Sequence, residues 1–372
     1  MLRLGVGVMV EEAWADAMPE AAARIERISL DAVRDEWESL AVATRNVFAT
    51  WEWASLWWER HGRSGTLLAT ACRAADGRLV GILPLYIARR GPFRVVRFIG
   101  HDTADQLGPI CLPEHRSEVA GALRRVLADA RADVFIAERV PREEGWDALL
   151  GATELASEPS PVVRFGVSTW DEFLRTRSRN FRDQARRRER RLSESYDVSF
   201  RLVTGPESLD RDLDALFGLH GARWSGTRTD FSRSEPFHRE FAARALARGW
   251  LRLWLLELDG KPRAAIHGFR FGDVESFYQS GRDPSFDGDS VGFVLLLHAI
   301  REALADGMTE YFLLRGGEAY KYRFANEDRE VTTLATTRTR VSRMALATAV
   351  AARRSRAYRK LDGWRRATRT GA

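Results

Sequence analysis

Glu318, Tyr320, Lys321 and Arg323 fall within six residues, directly after the Gly316-Gly317 pair. A carboxylate can take a proton from a nucleophile or hold an ammonium group. A phenol, Tyr320 or Tyr322, can protonate a leaving group, and Lys321 and Arg323 can bind phosphate or carboxylate. The same residues read equally well as ion pairs that secure a short helix against a sheet. His220, Arg223 and Trp224 sit near the end of a predicted helix; they can contact a substrate, although a packed Trp and a satisfied core His are the commoner meaning of such residues. Trp51, Trp53, Trp57 and Trp58 recur at helical spacing and read as core, and His101, Asp102 and Asp105 read as a turn.

These residues need a scaffold. A chain of 372 residues with 45% hydrophobic and 30% charged residues has the composition of an ordinary globular protein of about two domains. Cys72 and Cys111, its two cysteines, have neither disulfide-framework nor zinc-site spacing, so metal-independent chemistry is expected. No run reaches the roughly 20 apolar residues of a membrane span, and a cytoplasmic location follows as an expectation.

Two segments hold the basicity. Residues 175–191 carry nine Arg against Asp183 and Glu189, and residues 338–372 carry ten Arg and Lys360 against Asp362, in a chain of net charge +6. The remainder is therefore acidic, and a polyanion should meet one of these segments. Only three Lys accompany the Arg excess, a bias that fits codon composition. The first segment has no Gly or Pro between Trp170 and Ser193 and predicts one long helix, either solvated or forming a cationic wall along a cleft between two halves, with Arg182 and Arg186 toward a substrate. The second, from Val341, predicts a basic helix able to touch an anionic membrane surface.

The positioning elements repeat. Residues 66–100 read as a three-stranded meander with turns at Asp76-Gly77 and Gly91-Pro92; residues 250–281 do the same with turns at Asp259-Gly260 and Gly272-Asp273. Two helices precede each meander (31–43 and 50–61; 207–225 and 235–248), and a helix and a strand follow (114–130 and 134–137; 289–306 and 310–314). The expected layout is an extension over 1–23, a first α/β half over 24–165, a basic linking helix over 166–193, a second half over 194–340 and a basic tail over 341–372.

The motifs Phe48-Ala-Thr-Trp51-Glu-Trp53 with Trp57-Trp58, Arg191-Leu192, Leu219-His220-x-x-Arg223-Trp224 and Leu314-Arg315-Gly316-Gly317-Glu318-x-Tyr320-Lys321-x-Arg323 resemble those of GNAT-superfamily acyltransferases associated with cellulose and exopolysaccharide biosynthesis. The likeness runs from about Phe48 to Phe324, and the tandem arrangement is similar to that of Fem-type transferases. The resemblance implies an α/β fold of tandem GNAT-like domains, with mixed, mainly antiparallel sheets flanked by helices. It implies an acyl donor, commonly acyl-CoA, and an amino or hydroxyl acceptor on a small molecule or envelope precursor. Glu318, Tyr320 and Lys321 would then be catalytic, and His220, Arg223, Trp224 and Arg323 would bind substrate.

In such a domain the donor's pyrophosphate meets free N–H groups where a helix begins. Here that place is 287–293, with Gly288 and Gly292 for close approach, Ser290 as a cap, and Val291 and Phe293 in the first turn; a well-capped core helix is the plainer reading. The family's Gln/Arg-x-x-Gly-x-Gly/Ala spacing is missing, and Asp287 and Asp289 repel phosphate unless Arg residues offset them. An acyl carrier protein or a charged transfer RNA is the alternative donor, and a non-catalytic polyanion-binding protein is the alternative to an enzyme.

Overall fold

The computed structural model describes residues 23–223 and 229–352; the N-terminal extension through residue 22, Trp224 and the tail after 352 lie outside the described residues. Eleven strands form one sheet in the order Val198–Leu202, Leu251–Leu258, Lys261–Phe271, Val274–Arg282, Glu310–Phe312, Thr153–Arg164, Glu327–Thr337, Val134–Pro141, Phe93–Phe98, Leu85–Arg90 and Gly65–Leu67. A second sheet holds Arg24–Arg27, Thr70–Arg73, Leu79–Leu83 and Ile110–Cys111.

Read from either end, the large sheet repeats itself. Each half contributes an antiparallel meander, then a helix, Arg116–Asp129 or Val291–Ala305, and then a parallel strand. That strand pairs Val95 to Arg97 with Val134 to Ile136 in the first half, and Val274 to Ser276 with Glu310 to Phe312 in the second. The expected repetition is therefore present in the topology. Its centre is the antiparallel pair Thr153–Arg164 and Glu327–Thr337, each of which also pairs with a strand of the other half. The halves share one continuous sheet through exchanged strands.

Two local expectations are corrected. The strands expected at Thr66–Cys72 and Leu79–Ala88 each divide between the two sheets. Pro84 interrupts the second: it has no N–H to give, and its carbonyl accepts from Ile99 N at 2.8 Å. The basic segment is two helices, Trp170–Arg175 and Arg179–Ser195. Ser178 starts the second by accepting from Phe181 N, and Thr169 starts the first with a capping box. Of the two Asp-Gly turns, only Asp259-Gly260 has both residues at positive φ (50° and 72°); at Asp76-Gly77 only Gly77 does, while Asp76 Oδ1 takes the Arg78 N–H.

Two apolar cores lie on opposite faces of the second half's strands. One packs helix Val291–Ala305 and the basic helices against Leu256, Ile266 and Phe277; the other packs helices Pro206–Arg223 and Glu235–Ala247 against Leu255, Ala265 and Tyr278 and runs on into the first half. Trp53 is fully buried and sets its ring against Phe48, Phe237 and Phe241, tying the helices of the two halves together, as a core reading requires.

His267 and His238 lie in this second core. His267 is fully buried with neither ring nitrogen hydrogen-bonded, and burial pushes its pKa down to about 3; His238 is pushed well below its usual 6.5 by burial and by the neighbouring imidazoles. A base held neutral in the fold binds protons more readily once unfolded, so this contribution is complete above about pH 6.5 and is lost progressively as pH falls from there toward 3. The melting temperature should fall between pH 7 and pH 5, and His267→Phe should flatten that decline. A slope unchanged in the variant would assign the pH dependence elsewhere.

Candidate active site

Strands Val274–Arg282 and Glu310–Phe312 pair in parallel over three residues and then part. The cause is local. Leu314 adopts φ 53°, a left-handed conformation rare for a branched side chain, and turns the chain away from its neighbour. On either side of it, Leu313 N and Gly316 N bond to the carbonyls of Pro161 and Pro159 on the central strand. The first half has the same device at Arg139, φ 60°. There the chain's own segment after Gly100 fills the opening, since Leu107 N donates to Arg139 O and an Arg139 guanidinium N–H donates to Ala104 O.

On the Val274–Arg282 side, a β-bulge at His267/Gly268 breaks the register. Tyr278 packs into the helix-side core and donates to Thr103 O at 2.5 Å. Gly281 is required by packing, because a Cβ there would lie 2.3 Å from His220 N. That close approach sets helix Pro206–Arg223 on the strand. His220 Nδ1 meets Ser280 O at 3.0 Å and Nε2 meets Thr229 Oγ1 at 2.9 Å; Arg223 donates to Ser280 Oγ at 2.8 Å.

Arg223 is also a hydrogen-bond partner of Tyr320, whose phenol is pushed up to about 12 by burial, against the lowering effect of Arg223. Tyr320 therefore stays protonated throughout the neutral range. It packs against Phe277 at a centroid distance of 6.4 Å.

Lys321 is buried, and its ammonium donates to Leu314 O at 3.3 Å and Arg315 O at 2.6 Å while pairing with Glu318 Oε2 at 3.1 Å. Burial lowers its pKa, and Glu318 opposes the shift. The cation is thus committed to holding the left-handed turn at Leu314, and Glu318 is half exposed beside it. Arg315 pairs with the buried Asp105 at 3.4 Å. The expected turn at 101–105 is present, and it delivers this first-half carboxylate to the second half's motif. Tyr322 is exposed and bonds Asp328, so Tyr320 is the phenol that faces the parting strands.

At the start of helix Val291–Ala305, Ser290 does not cap: it sits at φ 61° and makes no side-chain cap bond. Among the described residues no acceptor takes the N–H of Val291 or Gly292. The Val291 side chain is core, and a Cβ on Gly288 would meet nothing within 4 Å. The acidic residues are offset as an anion site requires. Asp287 pairs with Arg282 at 2.6 Å, and Asp289 with Arg191 at 3.4 Å and Tyr196 Oη at 3.3 Å. Arg188 lies 4.5 Å above the Phe293 ring; its pKa is lowered by burial and then by the charges of Arg323 and Arg187.

The structure therefore gathers Gly292, Phe293 and Arg323 with Arg188 and Arg191, which the sequence reading passed over for Arg182 and Arg186. Those two line a separate hollow with Asp171, Leu174 and Arg175, and Arg182 donates to Arg177 O. The basic helix Arg179–Ser195 lies along helix Val291–Ala305 of the second half, not between the halves. The signal that separates these Arg residues is periodicity: 188 continues the buried 181, 185 and 192 stripe.

Residues 179–322 match the family model described as an acetyltransferase (GNAT) domain. The fold of the chain is that of tandem GNAT-like domains. A structure of FemX superposes with a TM-score of 0.60 at 11% identity, covering 85% of this chain and 97% of that one. The C-terminal domain of a lysylphosphatidylglycerol synthetase from Agrobacterium fabrum, described as putative in its name, gives 0.55 at 14%, covering 86% and 96%. A conserved protein of unknown function from Bacteroides thetaiotaomicron gives 0.55 at 14%, covering 84% and 100%. No curated protein matches the sequence. Among the described residues no helix is long and apolar enough to cross a membrane, and no group of three or more His, Cys, Asp or Glu is placed to hold a metal ion.

Proposed function

We propose that the chain is an acyltransferase whose GNAT site lies where strand Val274–Arg282 parts from the strand that precedes Leu314, with acyl-CoA as donor. The observation that carries this reading is the uncapped start of helix Val291–Ala305 at the mouth of the parting strands, flanked by the mutually repelling Arg188 and Arg323. Free N–H groups and two cations that an anion would relieve suit a pyrophosphate.

An acyl thioester laid between the strands would be attacked by an amine or hydroxyl of the acceptor, with Glu318 taking the nucleophile's proton or orienting its ammonium. As the carbon–sulfur bond breaks, Tyr320 gives its proton to the thiolate. Lys321 positions the turn, and His220 and Arg223 fix Ser280 on the facing strand. The motif likeness supports an acceptor on an envelope or exopolysaccharide precursor and a cytoplasmic enzyme.

A second reading, aminoacyl transfer from a charged transfer RNA, is favoured by the extended arginine face of Arg179–Ser195 and by the likeness in fold to FemX. Calorimetric titration with acetyl-CoA, together with thiol release on adding candidate amines, separates the two. Acetyl-CoA should bind the wild type, more weakly in Arg188→Gln and Arg323→Gln, and with a salt dependence that both changes reduce. No saturable binding of acetyl-CoA, with consumption of a charged transfer RNA, would establish the second reading.

Gly292 supplies a sharper expectation. A Cβ there would contact only Arg282 Cδ, at 3.5 Å, so the fold does not need a glycine in this first helical turn. Gly292→Ala should hold or raise the melting temperature, since Ala favours helix by about 1 kcal/mol, while the donor KM rises several-fold. An unchanged KM would remove this residue from the donor site.

A further inference from the structure

The helix that begins at Arg340 crosses one face of the first half's sheet and leaves a groove of about 550 Å³ beneath it. Phe93, Val95, Ile136 and Leu155 form its floor and Leu346 and Val350 its roof. Strand pairing explains the floor: Val95 is opposite Val134 and Arg97 opposite Ile136, so alternate residues of both strands face the same way, and Arg90 opposite Phe93 joins them. The groove is of ordinary ligand-site size, and its lining is mostly apolar.

Beside Glu138 and Glu158, its rim carries Arg90, Arg97, Arg139 and Arg315. Three of these are committed elsewhere: Arg97 to Glu138 at 3.0 Å, Arg139 to Ala104 O, and Arg315 to Asp105 and Glu158. Arg90, at the exposed hairpin end, has no carboxylate partner among the described residues. An apolar trough with one uncommitted guanidinium at its edge complements one acyl chain ended by an anion.

We infer that this groove is a binding site for a long-chain fatty acid, its chain along Val95, Ile136 and Leu346 and its carboxylate on Arg90. The site is separate from the acyl-transfer site and does not rest on that assignment. Ligand would dock the helix Arg340 to Ala352 more firmly on the sheet, and Arg315, which borders the groove, also presents a carbonyl to Lys321.

The test uses the full chain with laurate as probe and dodecyltrimethylammonium as the chain-matched cation. Calorimetry should show one saturable laurate site and none for the cation. Arg90→Glu, at an exposed position, should weaken laurate at least tenfold. Ala349→Trp, which fills the trough from the helix side, should abolish binding, with both apo variants melting like wild type. Should Ala349→Trp melt early, the Arg90→Glu result decides. Absence of saturable laurate binding, equal affinity for the cation, or full affinity in Arg90→Glu would overturn the inference. So would sedimentation of wild type with phosphatidylglycerol vesicles in the absence of laurate binding, which would make this face a membrane-contacting surface, with Val341 and Met344 exposed on the same helix.

Discussion

Tyr320→Phe is expected to lower kcat on the order of 10²-fold while leaving the fold in place. The phenol is half-buried, desolvation pushes its pKa up to about 12 so that it stays protonated at neutral pH, and it lies beside Arg223, which can steady the phenolate that forms as the proton leaves. The lost hydrogen bond should cost only about 1 kcal/mol of stability. Rates are to be measured with the amine acceptor saturating and with a thioester of lower leaving-group pKa beside acetyl-CoA. A proton donor matters less when the thiolate leaves readily, so the defect should shrink with the better leaving group. An equal defect with both donors would make Tyr320 a packing partner of Phe277 and nothing more. Glu318→Gln belongs in the same series: if Glu318 is the base, kcat/KM should fall on the order of 10²-fold with the fold intact.

Lys321→Met is expected to be the most destabilising change at the site, by about 3 kcal/mol, because it strands two buried carbonyls at a turn already in a left-handed conformation. A melting temperature several degrees lower should follow. Glu318→Gln should cost far less stability, since its carboxylate is half exposed and its pair with Lys321 is screened. If Lys321 instead acted on the substrate, Met would lower turnover with little thermal effect, and thermal melts beside single-turnover rates decide between the two.

Much of this architecture was legible in the sequence. Thr50 and Pro206 mark helix starts, Asp259-Gly260 forms the mirror-image turn such a pair requires, and the helices before and after each meander end within a few residues of their expected limits. The two strands at the centre of the sheet were not legible. Thr153–Arg164 carries Pro159 and Pro161, residues that ordinarily exclude a central strand. Both are tolerated because they sit two apart: each turns its carbonyl toward Leu313 or Gly316, where only acceptors are used. Glu327–Thr337 opens on charges that pair across the sheet, Arg329 with Glu310 and Glu327 with Arg164, and so does not alternate like a half-buried strand.

At the site, the motif Glu318 to Arg323 and the start of helix Val291–Ala305 stood out by composition. The partners that give them meaning did not. Asp105 and Ser280 arrive through tertiary packing, and Arg188 is distinguished from its neighbours only by lying on the stripe that a helix break at Ser178 sets in phase.

The exchanged strands also govern how the chain can fold during synthesis. Val134–Pro141 gains its central neighbour only when residues 327–337 have been made, nearly two hundred residues later. At roughly 5–20 residues per second, the first half must wait on the ribosome for on the order of ten seconds or more with one edge unpaired. That edge carries Val134, Ile136 and Val140, and an open apolar edge is a template for pairing with another chain. The burden on the cell's chaperones should therefore fall on the nascent first half, and a circularly permuted chain that delivers Glu327–Thr337 before Val134 would shorten that exposure without changing a single contact of the finished sheet.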